Sequence, residues 1–302
     1  MVQGQHTYKD RLFSFIFGGG HREWTLSLYN AVNHTHYDNP DDISIETIRQ
    51  VLYLGMYNDL AFIIADSLSL YEQQSTYNPN MPVRMLEYVA NLMEKYIRQS
   101  GGNKYGQKLI ELPAPRLVVF YNGVRQQPEV QILHLSDAFR PELRDSADIS
   151  VNVHMYNINR GYNEKLLSAC PPLSEYAWIV DSVRTLRMHS DLETAIDQTI
   201  RQLPTDFVTR PYLEAHQAEV KNMLLTEYNE AETMEMFKRE GREEGRKEGR
   251  KEGRKEGQKE GRESERLVNI RNLMASLKLS ARDAMNALKI PAKDQEKYIG
   301  QL

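Results

Sequence analysis

Cysteine is almost absent: Cys170 stands alone in 302 residues. One thiol cannot build an intramolecular disulfide framework or a multi-cysteine zinc site, which points to a reducing, cytoplasmic compartment. Long apolar runs are missing too. No stretch approaches the length of a membrane span, so no membrane partner is expected. The opening residues, MVQGQHTYKDRLFSFIF, lack a signal-peptide pattern because Lys9, Asp10 and Arg11 interrupt them. Nor is there an excess of positive charge. The formal net charge is −4, so nucleic-acid binding would have to rest on a local basic surface. The glycine-rich stretch FGGGH lacks a following Lys-Ser/Thr, which argues against a phosphate-cradling loop and against ATP use.

What is there is the composition of a globular protein, 40% hydrophobic and 26% charged, long enough for one domain with extensions or for two. REWTLSLYNAVN (22–33) has helical periodicity, and HTHYDNPDD after it is a loop. DISIETIRQVLYLGMYN is mixed and fits no one element type. Residues 59–65 and 68–75 are short apolar runs parted by Asp66-Ser67, which suits a hairpin. A helix should follow, with Asn80 as N-cap, Pro82 in its first turn and Gly101-Gly102 as its stop. RLVVFYNG, EVQILHLSDAF and DISVNVHMYNIN read as further strands. The expectation is an α/β core with a mixed sheet flanked by helices. Boundaries are expected at 1–165 for this core, 166–236 for a helical appendage, 237–266 for a charged spacer and 267–302 for a small helical unit capped at Ser280.

The hairpin carries the chemistry. With Asp66 and Ser67 at its turn, paired residue numbers sum to 133, so Asp59 faces Gln74 and Glu72 lies diagonal to Asp59. Cross-strand neighbours lie ~5 Å apart and diagonals ~7–8 Å. Two carboxylates on one face with a polar residue two positions on could hold Mg2+, which keeps several waters and accepts phosphate oxygens. On spacing alone, a structural or accidental pair is the commoner explanation. If the two carboxylates repel, removing either should hold or raise the stability of the metal-free protein.

Asn58-Asp59, then Glu72-Gln73-Gln74-Ser75, then Met81-Pro82-Val83-Arg84-Met85-Leu86 with Tyr88, form a pattern that resembles the recombination-promoting nuclease (Rpn) or transposase branch of the PD-(D/E)xK nuclease superfamily. YKDRLFSFIFG with LYNAVN upstream, LPAPRLVVFYNG downstream and the Glu-Gly tail extend the likeness over roughly residues 8–260. The resemblance implies a restriction-endonuclease-like core and metal-dependent cleavage of DNA. It implies Asp59 and Glu72 as ligands of Mg2+ or another divalent cation. Gln74 stands where the wider superfamily has Lys, and a glutamine can hydrogen-bond to the attacking water but cannot take its proton. The superfamily's helix-borne glutamate has no clear counterpart; Glu23 is the nearest candidate. Arg84 and Tyr88, four apart on one helix face, would contact a phosphate, or Arg84 would instead pair with Glu72 or Glu87. No DDE-like triad is visible, so transposition does not follow from the residues.

His134 and His154 lack metal-like partner spacing, and Cys170 has no histidine pattern nearby. Glycine recurs every fourth residue from Gly241 to Gly261, among Glu–Lys pairs spaced three apart. Each glycine costs ~1 kcal/mol relative to alanine, against ~0.2–0.5 kcal/mol gained per pair, so a marginal, exposed helix or spacer is expected. Residues 238–262 hold eleven Lys/Arg against seven Glu, a local +4, yet the signs alternate within single turns. Self-association through the C-terminal helices, giving a homo-oligomer, is expected over DNA tethering. The two functional readings are a DNA endonuclease and a catalytically degenerate nuclease-fold interaction protein.

Overall fold

Along a strand successive side chains point to opposite faces, and short strand-forming runs recur between residues 60 and 157. In the computed structural model, which describes residues 11–18, 20–45 and 60–302, they build a six-stranded mixed sheet. Helices α1 (Leu12–Gly18) and α2 (Arg22–Asn33) and the two-residue strand β1 (Ser44–Ile45) come first. The hairpin β2 (Leu60–Ile64) and β3 (Ser67–Gln74) follows, then helix α3 (Met81–Gln99) and strand β4 (Ala114–Tyr121). Strands β5 (Val130–His134) and β6 (Asn152–Asn157) complete the sheet. The spatial order is β1-β2-β3-β4-β6-β5. Strands β3, β4 and β6 run parallel, so their carboxyl ends share one edge of the sheet, and the outer strands pair antiparallel.

The hairpin turn falls on Ala65-Asp66, one residue earlier than expected. Leu60 faces Tyr71, and paired numbers sum to 131 instead of 133. Ala65 takes a φ of 48°, so the shifted turn puts a Cβ in the left-handed region. A shift of two in that sum leaves every β3 side chain on its expected face. The anticipated partner of Gln74, Asp59, lies outside the described residues, as does most of the segment of mixed character before it. Asn80 precedes α3 as expected but caps it through its backbone carbonyl, which accepts from Val83 and Arg84, and makes no side-chain cap bond.

Each face of the sheet buries its own core. Leu68 and Leu70 of β3, with Leu117 and Val119 of β4, pack under Met81, Met85, Tyr88 and Leu92 of α3. Phe62, Tyr71, Val118 and Phe120 point the other way, into a larger cluster with α1 and α2. That cluster also takes Leu173, Tyr176, Ile179, Val180 and Val183 from α5 (Pro171–Arg187), which follows the short α4 (Glu164–Ala169). Helices α6 (Leu192–Arg201) and α7 (Arg210–Ala215) and the start of α8 (Gln217–Leu277) add Ile196, Leu213 and Leu224. The helices expected as an appendage are therefore one layer of the core, and the expected boundary after residue 165 is not a division. The first compact unit is Met1–Glu232 and the second Thr233–Leu302. Among the described residues no helix is long and apolar enough to cross a membrane.

In the second unit, Ile270 of α8 packs with Ala284 and Met285 of α9 (Ala281–Ala287) and Tyr298 of α10 (Ala292–Ile299). Ser280 caps α9, its hydroxyl accepting from the Asp283 amide at 3.2 Å. The Glu-Gly repeat is helical, inside α8.

Two glycines make opposite demands. A Cβ on Gly123 would lie 2.3 Å from the Ser75 carbonyl oxygen and 2.5 Å from the Tyr121 hydroxyl, whereas one on Gly253 would meet nothing within 4 Å. Gly123→Ala is expected to destabilise the first unit by about 2–3 kcal/mol, read as a drop in the denaturant midpoint. Gly253→Ala should leave that midpoint alone and raise helical circular dichroism, the local gain being about 1 kcal/mol. Equal effects of the two would contradict this packing.

Candidate active site

The alternation that buries Leu68 and Leu70 beneath α3 carries Glu72 and Gln74 to the same face, where β3 reaches the carboxyl edge. Glu72 retains 1% exposure. A carboxylate so sealed would cost several kcal/mol if left without compensation. Compensation comes from the next element. The Arg84 guanidinium donates to Glu72 Oε1 at 2.5 Å, and the Gln74 amide donates to the same oxygen at 2.7 Å. Arg84 also donates to the Tyr88 hydroxyl at 2.9 Å and lies over that ring at 5.8 Å. The i, i+4 spacing of Arg84 and Tyr88 puts both over the end of β3, while Met81, Met85 and Leu92 hold the helix down. Four of the residues singled out from the sequence thus meet at one point. Arg84 takes the pairing role with Glu72.

Glu23 does not join them. It lies on α2, which packs against the Tyr71 face of the sheet, and its carboxylate engages His21 at 2.9 Å. Burial pulls the Glu23 pKa up, but the bond and charge of His21 outweigh it and leave the group below its usual range. Asp59 lies outside the described residues. Among the described residues, no group of three or more His, Cys, Asp or Glu could hold a metal ion. His134 bonds Asn152 at 2.8 Å, and Cys170 is fully buried, its thiol pushed up to about 11 by desolvation, which makes it a poor nucleophile.

The opposite face of the same edge holds a network that no sequence pattern announced. Gln73 donates to Asn122 at 2.7 Å, and Asn122 donates to the Tyr176 hydroxyl of α5 at 3.2 Å. Arg184, two helical turns on, donates to the Asn122 carbonyl and, at 2.9 Å, to Asn159, which reaches the Gly123 carbonyl at 3.0 Å. These bonds tie α5 to the ends of β3 and β4 and so fix the strand that presents Glu72. A second buried carboxylate, Glu175, is saturated by the amides of Val208 and Thr209 and the Thr209 hydroxyl at 2.5–2.9 Å, a structural role.

The ion pair revises the stability expected from removing Glu72. With a cation as its partner, loss of the carboxylate should not stabilise the metal-free protein. Arg84→Met should cost about 2–3 kcal/mol, below the ~3–5 kcal/mol of a fully buried pair because Arg84 is 30% exposed. Adding Glu72→Gln to Arg84→Met should recover most of that loss. A double-mutant cycle in urea with no coupling between the two positions would refute the pairing.

Compared with family models, curated proteins and solved structures, the chain matches none.

Proposed function

We propose that this chain is a divalent-metal-dependent DNA endonuclease built on a restriction-endonuclease-like core, hydrolysing phosphodiester bonds in the cytoplasm. The observation that carries the reading is the buried Glu72 carboxylate at the carboxyl edge of β3, with Gln74 and Arg84 on one of its oxygens. It combines with the resemblance of these positions, and of Asn58-Asp59, to the recombination-promoting nuclease branch. Glu72 is a hard oxygen donor of the kind Mg2+ prefers, and Asp59 would supply the second carboxylate. When bound, the ion would polarise a phosphodiester oxygen and lower the pKa of its water. Gln74 would hold the attacking water by hydrogen bonding, without accepting its proton. Arg84, 30% exposed, can turn its guanidinium from Glu72 toward a phosphate, with Tyr88 as the pivot it already bonds. The repeat of α8 and the second unit would serve self-association.

A second reading, a catalytically degenerate interaction protein on the same core, is favoured by one fact. Glu72 Oε1 already holds two donors, so that oxygen is satisfied with no ion present.

Incubation of the purified chain with supercoiled plasmid separates the two. Nicking is expected with Mg2+ and not with EDTA. Asp59→Ala and Glu72→Ala should each abolish it, and Gln74→Ala should reduce it by less. Wild-type nicking by both carboxylate variants would remove the site assignment. Complete inertness of the wild type with Mg2+ and Mn2+ would leave the interaction reading.

A further inference from the structure

Among the described residues near the carboxyl edge that presents Glu72, three arginines have their guanidinium groups engaged. Arg84 is bonded to Glu72, Arg184 is turned inward onto Asn122 and Asn159, and Arg160 lies 3.8 Å from Asp181. Arg125 differs. Among the described residues no carboxylate lies within ion-pair distance of its guanidinium, which instead sits over the Tyr77 ring at 5.3 Å. An exposed arginine ordinarily samples many rotamers, yet the backbone that bears this one is fixed on two sides. The Tyr121 hydroxyl donates to the Arg125 carbonyl at 2.7 Å. Gly123, two residues earlier, is pressed so closely against the Ser75 carbonyl that no Cβ fits between them. The Asn122 amide also donates to the Gln74 carbonyl at 3.1 Å. The segments leaving β3 and β4 are thus locked together just past Gln74, and Tyr77 and Arg125 are the side chains they project as a cation–π pair.

A guanidinium held over an aromatic ring by cation–π attraction still has N–H donors to offer, in the fork that matches a phosphate. Its position beside the Glu72–Gln74 edge gives it a strand to read. We propose that Arg125, seated on Tyr77, is a fixed contact for a phosphate of the DNA backbone, a positioning residue that sets the strand against the Glu72 site. The proposal rests on the endonuclease reading for the identity of the polyanion, and its chemistry is that of one phosphodiester group. The contact carries no base specificity, because phosphate contacts set register and leave sequence unread. It also adds one positive charge to the local basic surface that a chain of net charge −4 needs to hold DNA.

The test is a salt series of binding isotherms, by fluorescence anisotropy, with a labelled duplex oligonucleotide in EDTA so that nothing is cut. Arg125→Gln should bind roughly 3- to 10-fold more weakly, and the slope of log affinity against log salt should shrink by about 0.9, the share of one duplex phosphate. Arg125→Lys should keep the wild-type slope while losing part of the affinity, because it keeps the charge and loses the planar fork, and Tyr77→Leu should behave like it, because it keeps the charge and removes the ring that holds the guanidinium. Melting temperature should be unchanged in the Arg125 variants because the side chain is exposed. Wild-type affinity and slope in Arg125→Gln would overturn the proposal, and nicking by the wild type in a parallel plasmid assay would then leave the endonuclease reading intact. A weakened Arg125→Gln beside a wild type that never nicks would sustain the phosphate contact and count against the nuclease.

Discussion

A carboxylate with almost no access to water has to be met by charge or hydrogen bonds, and in this molecule that requirement falls on the end of β3. Glu72 is buried because β3 is a central strand with helices on both faces. Arg84 answers it, and Arg84 sits at the end of the first turn of α3. The crossover from β3 to β4 is therefore constrained in three ways at once: by the apolar stripe of α3, by the parallel register of β4 on β3, and by the reach of one guanidinium. Glu175 shows the other solution to the same problem, three short bonds from a turn, which ties down α7 and leaves no room for chemistry. Glu72 shares its oxygen with groups that can exchange partners. That difference, more than burial itself, separates a site from a staple.

Much of the fold was legible because local periodicity writes it. The bounds of α2, the crossover helix after Pro82, and the strand runs of β3, β4 and β6 follow from spacing of 3.6 and 2. Asp66-Ser67 has better turn chemistry than Ala65-Asp66, yet the turn falls one residue earlier because the pairing of the whole hairpin outweighs the strain at Ala65. The helices after Gly161 have the expected helical periodicity, yet they form a layer of the core and not an appendage. An apolar stripe such as Leu173, Tyr176, Val180 and Val183 states that a helix is covered, and not by what. The missing information was the second face of the sheet: Tyr71, Val118 and Phe120 had to be buried by something, and α1 and α2 do not suffice alone.

The site divides along the same line. Glu72, Gln74, Arg84 and Tyr88 lie within 17 consecutive residues, so strand alternation and one helical spacing bring them into view. Between Arg84 as a phosphate contact and Arg84 as the partner of Glu72, distance decides for the latter in the chain by itself. Glu23 lies on a helix, as the expected glutamate would, but that helix packs on the opposite face of the sheet. The Gln73–Asn122–Tyr176 network spans separations of 49 and 54 residues, and amides carry no periodic signature. Nothing short of the three-dimensional arrangement assembles it.

The glycines of α8 have one more consequence. Six of them fall within the 21 residues from Gly241 to Gly261, and at the five from Gly245 onward the space where a Cβ would sit is empty. Against about 6 kcal/mol of lost propensity, the Glu–Lys pairs return at most about 2 kcal/mol, so this stretch stays helical largely because turns on both sides propagate into it. Val220 and Leu224 anchor one end in the larger core, and Ile270 anchors the other in the smaller one. A protease that cuts after lysine and arginine would find its sites densest where the hydrogen-bond ladder opens most cheaply. Limited digestion would therefore sever the chain within the repeat and release two fragments, each with a core of its own.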